Sequence, residues 1–184
     1  MALVLGIDSS TQSTKALLVD AESGEVLEER RAGHPEGTEV DPRAWLTAVD
    51  DAAGPLLERA DAVSVGGQQH GMVLLDEAGE VVRPALLWND TRSAPQALAL
   101  IEEMGGAEAS VEEIGSLMVA SFTASKLRWV RDTEPENAAR AVRVLLPHDY
   151  VSLHLAEAGT APFTDRGDAS GTGYYSTREE AWRP

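Results

Sequence analysis

Cysteine is absent from the 184-residue sequence, which excludes disulfide bonds and thiolate catalysis. Basic residues are few: the sequence has 15 Lys and Arg against 31 Asp and Glu, which gives a formal net charge of −16. Such a surface repels polyanions, so we expect neither nucleic acid nor an anionic membrane as a partner. An anionic ligand would have to be held locally, by backbone N–H groups or by a metal ion.

Long apolar runs are also missing, since none approaches the roughly 20 residues of a membrane-spanning helix. The start of the chain lacks the basic segment and the cleavage site of a signal peptide, and we therefore expect a cytoplasmic protein. Aromatic residues make up only 5% of the chain, but hydrophobic residues make up 43%, which is enough for a packed core. The length suits one domain or one and a half.

Hydrophobic patterning predicts a mixed sheet with helices packed against it. Strands are expected at 2–7, 14–19 and 25–31, joined by tight links into an antiparallel meander. Asp41 and Pro42 predict the start of a helix that Gly54 and Pro55 should kink or restart. Further elements are expected as a short buried strand at 62–65, strands at 72–75, 85–88 and 142–146, helices at 93–104, 110–118, 124–132, 135–140 and 148–157, a loop through most of 159–173, and the start of a helix at 182–184.

The loop between the first two predicted strands carries a carboxylate and a run of hydroxyls. Asp8 ends the first strand, and the hydroxyl residues after it are Ser9, Ser10, Thr11, Ser13 and Thr14. Backbone N–H groups and hydroxyls in a hairpin mouth form a cradle for phosphate, and a carboxylate beside phosphate suits Mg²⁺. The loop therefore predicts a phosphate site with Asp8 on the metal. The same composition is typical of an ordinary surface hairpin, and the residues alone leave both interpretations open.

Two further polar segments follow predicted strands. Gln69 and His70 are bracketed by glycines, which allow a ligand to approach the backbone closely. Their uncharged hydrogen-bonding groups suit a neutral hydroxylated ligand, and a core histidine bound to a carbonyl is the alternative. Trp88, Asn89 and Asp90 end a strand before a helix, where Asp90 can instead act as an N-cap. The histidines do not have the spacing of a metal site.

Five segments occur in the order found in a known family, at 67–71, 87–92, 122–130, 145–150 and 164–173. Together with the hairpin they resemble the N-terminal half of the FGGY carbohydrate kinases, and within these the xylulokinases, from about residue 3 to the end of the chain. The resemblance implies a ribonuclease H-like α/β fold of the actin/Hsp70/sugar kinase superfamily, with a mixed sheet and flanking helices. One departure is Ser10, which stands where the superfamily usually has glycine.

The resemblance also implies ligands and residue roles. ATP and Mg²⁺ are expected at the hairpin, and D-xylulose is expected in a pocket beside it. The residues implied for the sugar are Gln69, His70, Trp88, Asn89, Asp90 and Phe122. The Gln-His pair argues against glycerol, because glycerol kinases have an Arg-Glu pair in the matching place. Lys126 is expected in a structural ion pair, and Asp168 matches a structural segment that precedes the catalytic base.

The resemblance places the catalytic base and the C-terminal nucleotide domain beyond Pro184. Residues 1–184 would then be a truncated N-terminal sugar-binding domain that packs against its own C-terminal domain and is inactive alone. The alternatives are a kinase for ribulose, fuculose or gluconate, or a non-catalytic sugar-binding module. The oligomeric state stays open, with a homodimer as one possibility.

Overall fold

A mixed four-stranded sheet forms the centre of residues 2–183, the part of the chain that the computed structural model describes. Its strands are β1 (Leu3–Ser9), β2 (Ser13–Asp20), β3 (Val26–Gly33) and, after the short strand β4 (Glu39–Val40), β5 (Ala62–Gly67). The order in the sheet is β3-β2-β1-β5. The first three strands form the predicted antiparallel meander, and β5 pairs with β1 in parallel.

Alternating side chains of the meander bury one face of the sheet against helix α1 (Arg43–Leu57). Leu5 and Ile7 of β1 and Leu18 of β2 are almost fully buried, as are Trp45 and Leu56 of α1. The buried side chains that alternate along the strands and those spaced along one face of α1 thus form one hydrophobic core.

The rest of the chain forms short strands and helices beside this sheet. They are β6 (Val73–Leu75), β7 (Ala85–Leu86), α2 (Ala94–Glu103), α3 (Ala107–Ile114), α4 (Thr123–Thr133), α5 (Pro135–Arg140), β8 (Arg143–Leu145), α6 (Pro147–Leu155), α7 (Arg166–Ser170), β9 (Tyr175–Ser176) and β10 (Ala181–Trp182). The short strands pair as β4-β7, β6-β8 and β9-β10. Among the helices formed by residues 2–183, none has the length and apolarity that a bilayer crossing requires. The mixed sheet with flanking helices confirms the predicted α/β class.

Three local predictions were wrong in whole or in part. The strand at 62–65 is mostly exposed rather than buried, because β5 lies at the edge of the sheet and pairs only with β1 among the described residues. Helix α1 continues through Gly54 and Pro55, so the restart offered as one alternative does not occur; Pro55 lies in the last turn of the helix. Trp182 belongs to the strand β10 and not to a helix, and Pro184 lies outside the described residues.

The predicted loop at 159–173 contains the short helix α7. The side chain of Asp165 caps it by accepting a hydrogen bond of 2.9 Å from the backbone N–H of Asp168. An ion pair then holds α7 against α6: Nδ1 of His148 lies 2.8 Å from Oδ2 of Asp168 and 3.4 Å from Oδ1 of Asp149. The nearby carboxylates of Asp149 and Asp168 outweigh burial and raise the pKa of His148 to about 10, so the imidazole is charged at neutral pH.

We expect this ion pair to make stability depend on pH in one direction. Folding raises the pKa of His148 from 6.5 to about 10. The contribution of His148 to the free energy of unfolding is therefore complete below pH 6.5 and is lost as the pH rises through about 10. His148→Gln should lower the free energy of unfolding by about 3 kcal/mol at acidic pH and by much less above pH 10, measured by urea denaturation.

Burial lowers the pKa of Lys126 to about 8, so the contribution of Lys126 to the free energy of unfolding increases with pH, opposite to that of His148. Comparing the variant with the unmodified protein at the same pH removes this effect. The matched control is His154→Gln on the same helix. His154 forms an exposed pair with Asp50, with 2.8 Å between Nε2 and Oδ1, and its loss should cost less than about 1 kcal/mol. An equal effect of His148→Gln at both pH values would contradict the prediction.

Candidate functional site

The carboxyl ends of β1 and β5 lie side by side and place two polar loops at the same edge of the sheet. In the parallel register Asp8 faces Gly66 and Ser9 faces Gly67. The backbone N–H of Gln68 then donates to the Ser9 carbonyl at 3.2 Å. A cleft of about 360 Å³ opens between the loops. Its lining residues are Asp8, Ser10, Thr11, Gly67, Gln68, Gln69, His70 and Trp88.

The cleft brings together half of the residues predicted from the sequence. Asp8, Ser10 and Thr11 come from the hairpin, and Gln69, His70 and Trp88 come from the segments expected to bind sugar; all six line the cleft. A larger, mainly apolar groove of about 590 Å³ lies elsewhere and contains none of the predicted site residues. The candidate site is therefore the smaller, polar cleft.

Three of the predicted hydroxyls face inward and brace the hairpin instead of lining the cleft. Ser9, Ser13 and Thr14 are buried. The Thr14 hydroxyl lies 3.3 Å from Ser9 Oγ and 2.9 Å from Nε2 of His34. The Ser13 hydroxyl accepts from Arg31 Nε at 2.9 Å. These contacts hold the mouth of the hairpin open for Ser10 and Thr11.

Ser10 fits the tight turn without the conformational freedom of glycine. Its N–H and its hydroxyl both lie 3.1 Å from the carbonyl oxygen of Ser13, to which they donate. Its φ angle is not among the positive values of the described chain, so the backbone does not require glycine here. His34, which sequence reasoning left in a loop, donates from Nδ1 to the Ser10 carbonyl at 3.0 Å. Burial lowers the pKa of His34, which keeps it neutral at physiological pH.

His70 is held in one orientation and one tautomer. Its backbone has a φ of 65°, in the left-handed region that non-glycine residues rarely adopt. Nδ1 donates to the carbonyl of Gly171 at 3.1 Å, and the ring packs against Phe122 with 5.3 Å between the ring centroids. Burial lowers the pKa of His70, so the ring is neutral. A neutral ring with its proton on Nδ1 presents Nε2 as an acceptor.

Gly171 is a residue that sequence reasoning missed. A Cβ atom built there would lie 2.0 Å from both Cε1 and Nδ1 of the His70 ring. Only glycine therefore allows the ring to reach the Gly171 carbonyl. Phe122, by contrast, was predicted to bind sugar, and the structure places it against the His70 ring and outside the cleft lining.

Gln68 was also missed, and it joins the two walls of the cleft. Its side-chain N–H group donates to the Ser10 carbonyl at 3.2 Å, in addition to the backbone contact with Ser9. Its Oε1 atom is buried and has no partner among the described residues. The segment Gly-Gly-Gln-Gln indicated a polar loop at the site, but the sequence alone did not indicate which of the two glutamines turns toward the hairpin.

The segment after β7 contributes Trp88 to the cleft, whereas Asp90 turns away. Trp88 is 48% exposed, and its indole N–H donates to the Thr11 hydroxyl at 3.1 Å. Asn89 is exposed beside it. Asp90 is buried, and its carboxylate accepts from Thr38 at 2.7 Å and from Nε of Arg92 at 2.9 Å. Burial opposes ionisation, but these hydrogen bonds hold the pKa of Asp90 below its ordinary value.

Lys126 is fully buried and does not form the ion pair that was expected. Its Nζ donates to the carbonyls of Ala120 at 2.7 Å and Asp90 at 3.1 Å. Lys126 thus fixes the backbone behind Trp88. Arg92 lies over the ring of Trp129, 5.1 Å from its centroid, so Trp129 packs with cations outside the cleft.

The chemistry of the cleft suits a neutral hydroxylated ligand beside a cation. Of its eight lining residues, Asp8 is the one charged side chain, and no lysine or arginine is among them. A phosphate chain would be repelled by Asp8 unless a divalent cation lay between them. Gln69, His70 and Thr11 offer uncharged donors and acceptors, which recognise hydroxyl groups directionally.

Curated proteins similar to this chain carry one activity in their names. A xylulose kinase from Streptomyces coelicolor is 55% identical over 188 residues, covering 98% of this chain and 38% of that protein. A xylulose kinase from Streptomyces rubiginosus is 53% identical over 189 residues, with the same coverage. The chain therefore spans about two-fifths of the length of these relatives.

A solved structure agrees with the sequence comparison. The crystal structure of xylulose kinase from Bifidobacterium adolescentis matches with a TM-score of 0.92 and 43% identity, covering 99% of this chain and 41% of that one. This similarity confirms the predicted sugar-kinase fold.

The family comparison covers nearly the whole chain. Residues 3–184 match the model of the N-terminal domain of the FGGY family of carbohydrate kinases. The range agrees with the resemblance seen in the sequence, which began at about residue 3. The chain therefore belongs to the FGGY family of carbohydrate kinases, as an N-terminal domain of that family.

Proposed function

We propose that this chain supplies the sugar pocket and the phosphate-binding hairpin of an ATP-dependent kinase that converts D-xylulose to xylulose 5-phosphate. The observation that carries the proposal is the single cleft in which Asp8, Ser10 and Thr11 face Gln69, His70 and Trp88. The names of the similar proteins support the choice of sugar.

The sugar side of the cleft works by directional hydrogen bonds. Nε2 of His70 accepts a hydrogen bond from a sugar hydroxyl, because the proton of the neutral ring is on Nδ1 and is donated to Gly171. The Gln69 amide provides a donor and an acceptor beside it, and the exposed face of Trp88 covers the carbon chain of the sugar.

The hairpin side of the cleft fits a magnesium nucleotide. The exposed carboxylate of Asp8 is the ligand type that Mg²⁺ prefers, and the hydroxyl of Thr11 and the loop N–H groups offer donors to phosphate oxygens. Bound Mg²⁺ would neutralise charge on the transferred phosphate. Ser9, Ser13 and Thr14 support this loop from behind.

We further propose that the remaining machinery lies in a longer polypeptide, in which residues 1–184 form the N-terminal sugar-binding domain. The chain spans 38% of the similar xylulose kinases. The general base that takes the proton of the sugar hydroxyl is expected beyond Pro184, as is the C-terminal nucleotide domain. This chain alone should therefore show no useful rate of phosphorylation.

The proposed function is tested by steady-state kinetics of the full-length kinase that carries this chain. With ATP and Mg²⁺, kcat/KM for D-xylulose should exceed that for D-ribulose, gluconate and glycerol by about 100-fold or more. His70→Ala should lower kcat/KM for D-xylulose about 100-fold, chiefly through KM, because a buried hydrogen bond is lost and its partner left unpaired. A comparable rate with glycerol would refute the proposal, and His154→Ala serves as the matched control.

Removal of the charge on Asp8 tests the metal assignment. Asp8→Asn should lower kcat about 100-fold or more and raise the Mg²⁺ concentration needed for half-maximal rate, while the KM for D-xylulose stays within about twofold. The measurement is the initial rate as a function of Mg²⁺ concentration. Asp51→Asn, a change at an exposed position of α1, should leave the Mg²⁺ dependence unchanged. An Asp8 variant with normal Mg²⁺ dependence would exclude this role.

Adding a methyl group next to the His70 ring tests the proposed role of His70 in sugar binding without removing any polar group. Gly171→Ala would place a Cβ 2.0 Å from the His70 ring, so the ring must move. The KM for D-xylulose should rise about tenfold while the KM for ATP is unchanged, because one hydrogen bond is misplaced. The control is Gly54→Ala, where an added Cβ meets nothing within 4 Å. Unchanged kinetics of Gly171→Ala would show that His70 does not contact the sugar.

A further inference from the structure

A buried ion pair lies directly behind the loop that carries Gln69 and His70, and the proposed function does not use it. Nδ1 of His148 lies 2.8 Å from Oδ2 of Asp168. The side chains of His148 and Asp168 are only 13% and 6% exposed. Burial of a charged pair is costly unless the geometry is good, so its presence beside the cleft calls for a role.

His148 holds the segment that enters the site. Its Nε2 donates to the carbonyl of Val65, near the end of β5, at 3.2 Å. A Cβ atom at Gly67 would lie 2.8 Å from the His148 Cα, and one at Gly71 would lie 2.6 Å from Cγ of Pro147. The start of α6 therefore touches the backbone on both sides of Gln69 and His70.

Asp168 fixes the position of Gly171, whose carbonyl is the hydrogen-bond partner of His70. It lies in α7, which ends at Ser170, directly before Gly171. The Gly171 carbonyl accepts the Nδ1 proton of His70. A closed series of contacts results: the Val65 carbonyl binds His148, His148 binds Asp168, and α7 carries Gly171 back to His70.

The cluster of His148, Asp149 and Asp168 has ligand atoms within 4.8 Å of one another, which is also compatible with a bound cation. Both imidazole nitrogens, however, are within donating distance of an acceptor, Val65 on one side and Asp168 on the other. A metal would have to replace the Nδ1 proton of the charged imidazole, whose charge balances that of Asp168. The charges of His148 and Asp168 balance each other without a metal, although Nδ1 of His148, Oδ1 of Asp149 and Oδ2 of Asp168 form no well-aligned hydrogen bond among the described residues.

We propose that His148 and Asp168 are a positioning pair that sets the ring orientation and the tautomer of His70, and thereby the affinity for sugar, without touching the sugar. The proposal rests on the proposed role of His70 in sugar binding. The pair acts through rigid elements at both ends, because α6 fixes the loop before His70 and α7 fixes the carbonyl that selects its tautomer.

The kinetic test uses the full-length kinase with His148→Gln, Asp168→Asn and the double variant. Each single change should raise the KM for D-xylulose about tenfold and leave the KM for ATP within about twofold, because the hydrogen bond of His70 to the sugar is misaligned. The double variant should be no worse than either single one, since both changes break the same link. His148→Lys, which keeps a cation facing Asp168, should restore the KM to within about threefold. His154→Gln on the same helix is the matched control.

A second measurement reports on His70 itself and needs no sugar. Nitrogen-15 chemical shifts of the imidazole should show the Nδ1-protonated tautomer of His70 in the unmodified protein and a mixture in Asp168→Asn. If His148→Gln does not fold, as judged by circular dichroism, Asp168→Asn carries the test, because it changes a single polar group.

The outcomes separate the two proposals. An unmodified kinase that phosphorylates no ketose refutes the proposed function, whatever the variants do. An active kinase whose folded variants keep a normal KM for D-xylulose and a single His70 tautomer refutes the positioning pair. A parallel rise of both KM values with a lowered Tm assigns the pair to stability alone and also overturns the proposal.

Discussion

The parallel pairing of β1 with β5 is the constraint on which the candidate site depends. It sets Ser9 beside Gly67, so the hairpin loop and the Gln-Gln-His loop leave the sheet at the same end. An antiparallel pairing would send the second loop to the opposite end of the sheet. Because polar residues follow both strands, one cleft collects a carboxylate, hydroxyls and uncharged hydrogen-bonding groups, as expected at the carboxyl ends of parallel strands.

The charge of the cleft follows from the composition of the chain. The protein has a net charge of −16, and the cleft lining includes Asp8 but no cation. The residues proposed to bind the sugar are uncharged: burial lowers the pKa of His70, and its Nδ1 is hydrogen-bonded to Gly171. Such a site can hold a polyhydroxylated ligand tightly and a phosphate chain only with a metal between it and Asp8.

Close backbone packing links the site to the rest of the fold. Gly67, Gly71 and Gly171 each lie where a Cβ would overlap a neighbour, namely His148, Pro147 or His70. These contacts join α6 and α7 to the loop of the site. The polar groups behind the cleft, including Lys126 and Asp90, bind one another or backbone carbonyls, so they support Trp88 rather than the ligand.

The sequence by itself determined the meander, the helix after Pro42 and the residue types of both loops, because alternation, turn glycines and helix starts are local signals. It also carried the family resemblance. Only the tertiary structure decided which hydroxyls face the cleft: Ser13 and Thr14 turn inward to Arg31 and His34. The same holds for His148 and Asp168, twenty positions apart, and for Gly171 against His70. Such contacts join residues distant in the chain, and no local pattern encodes them.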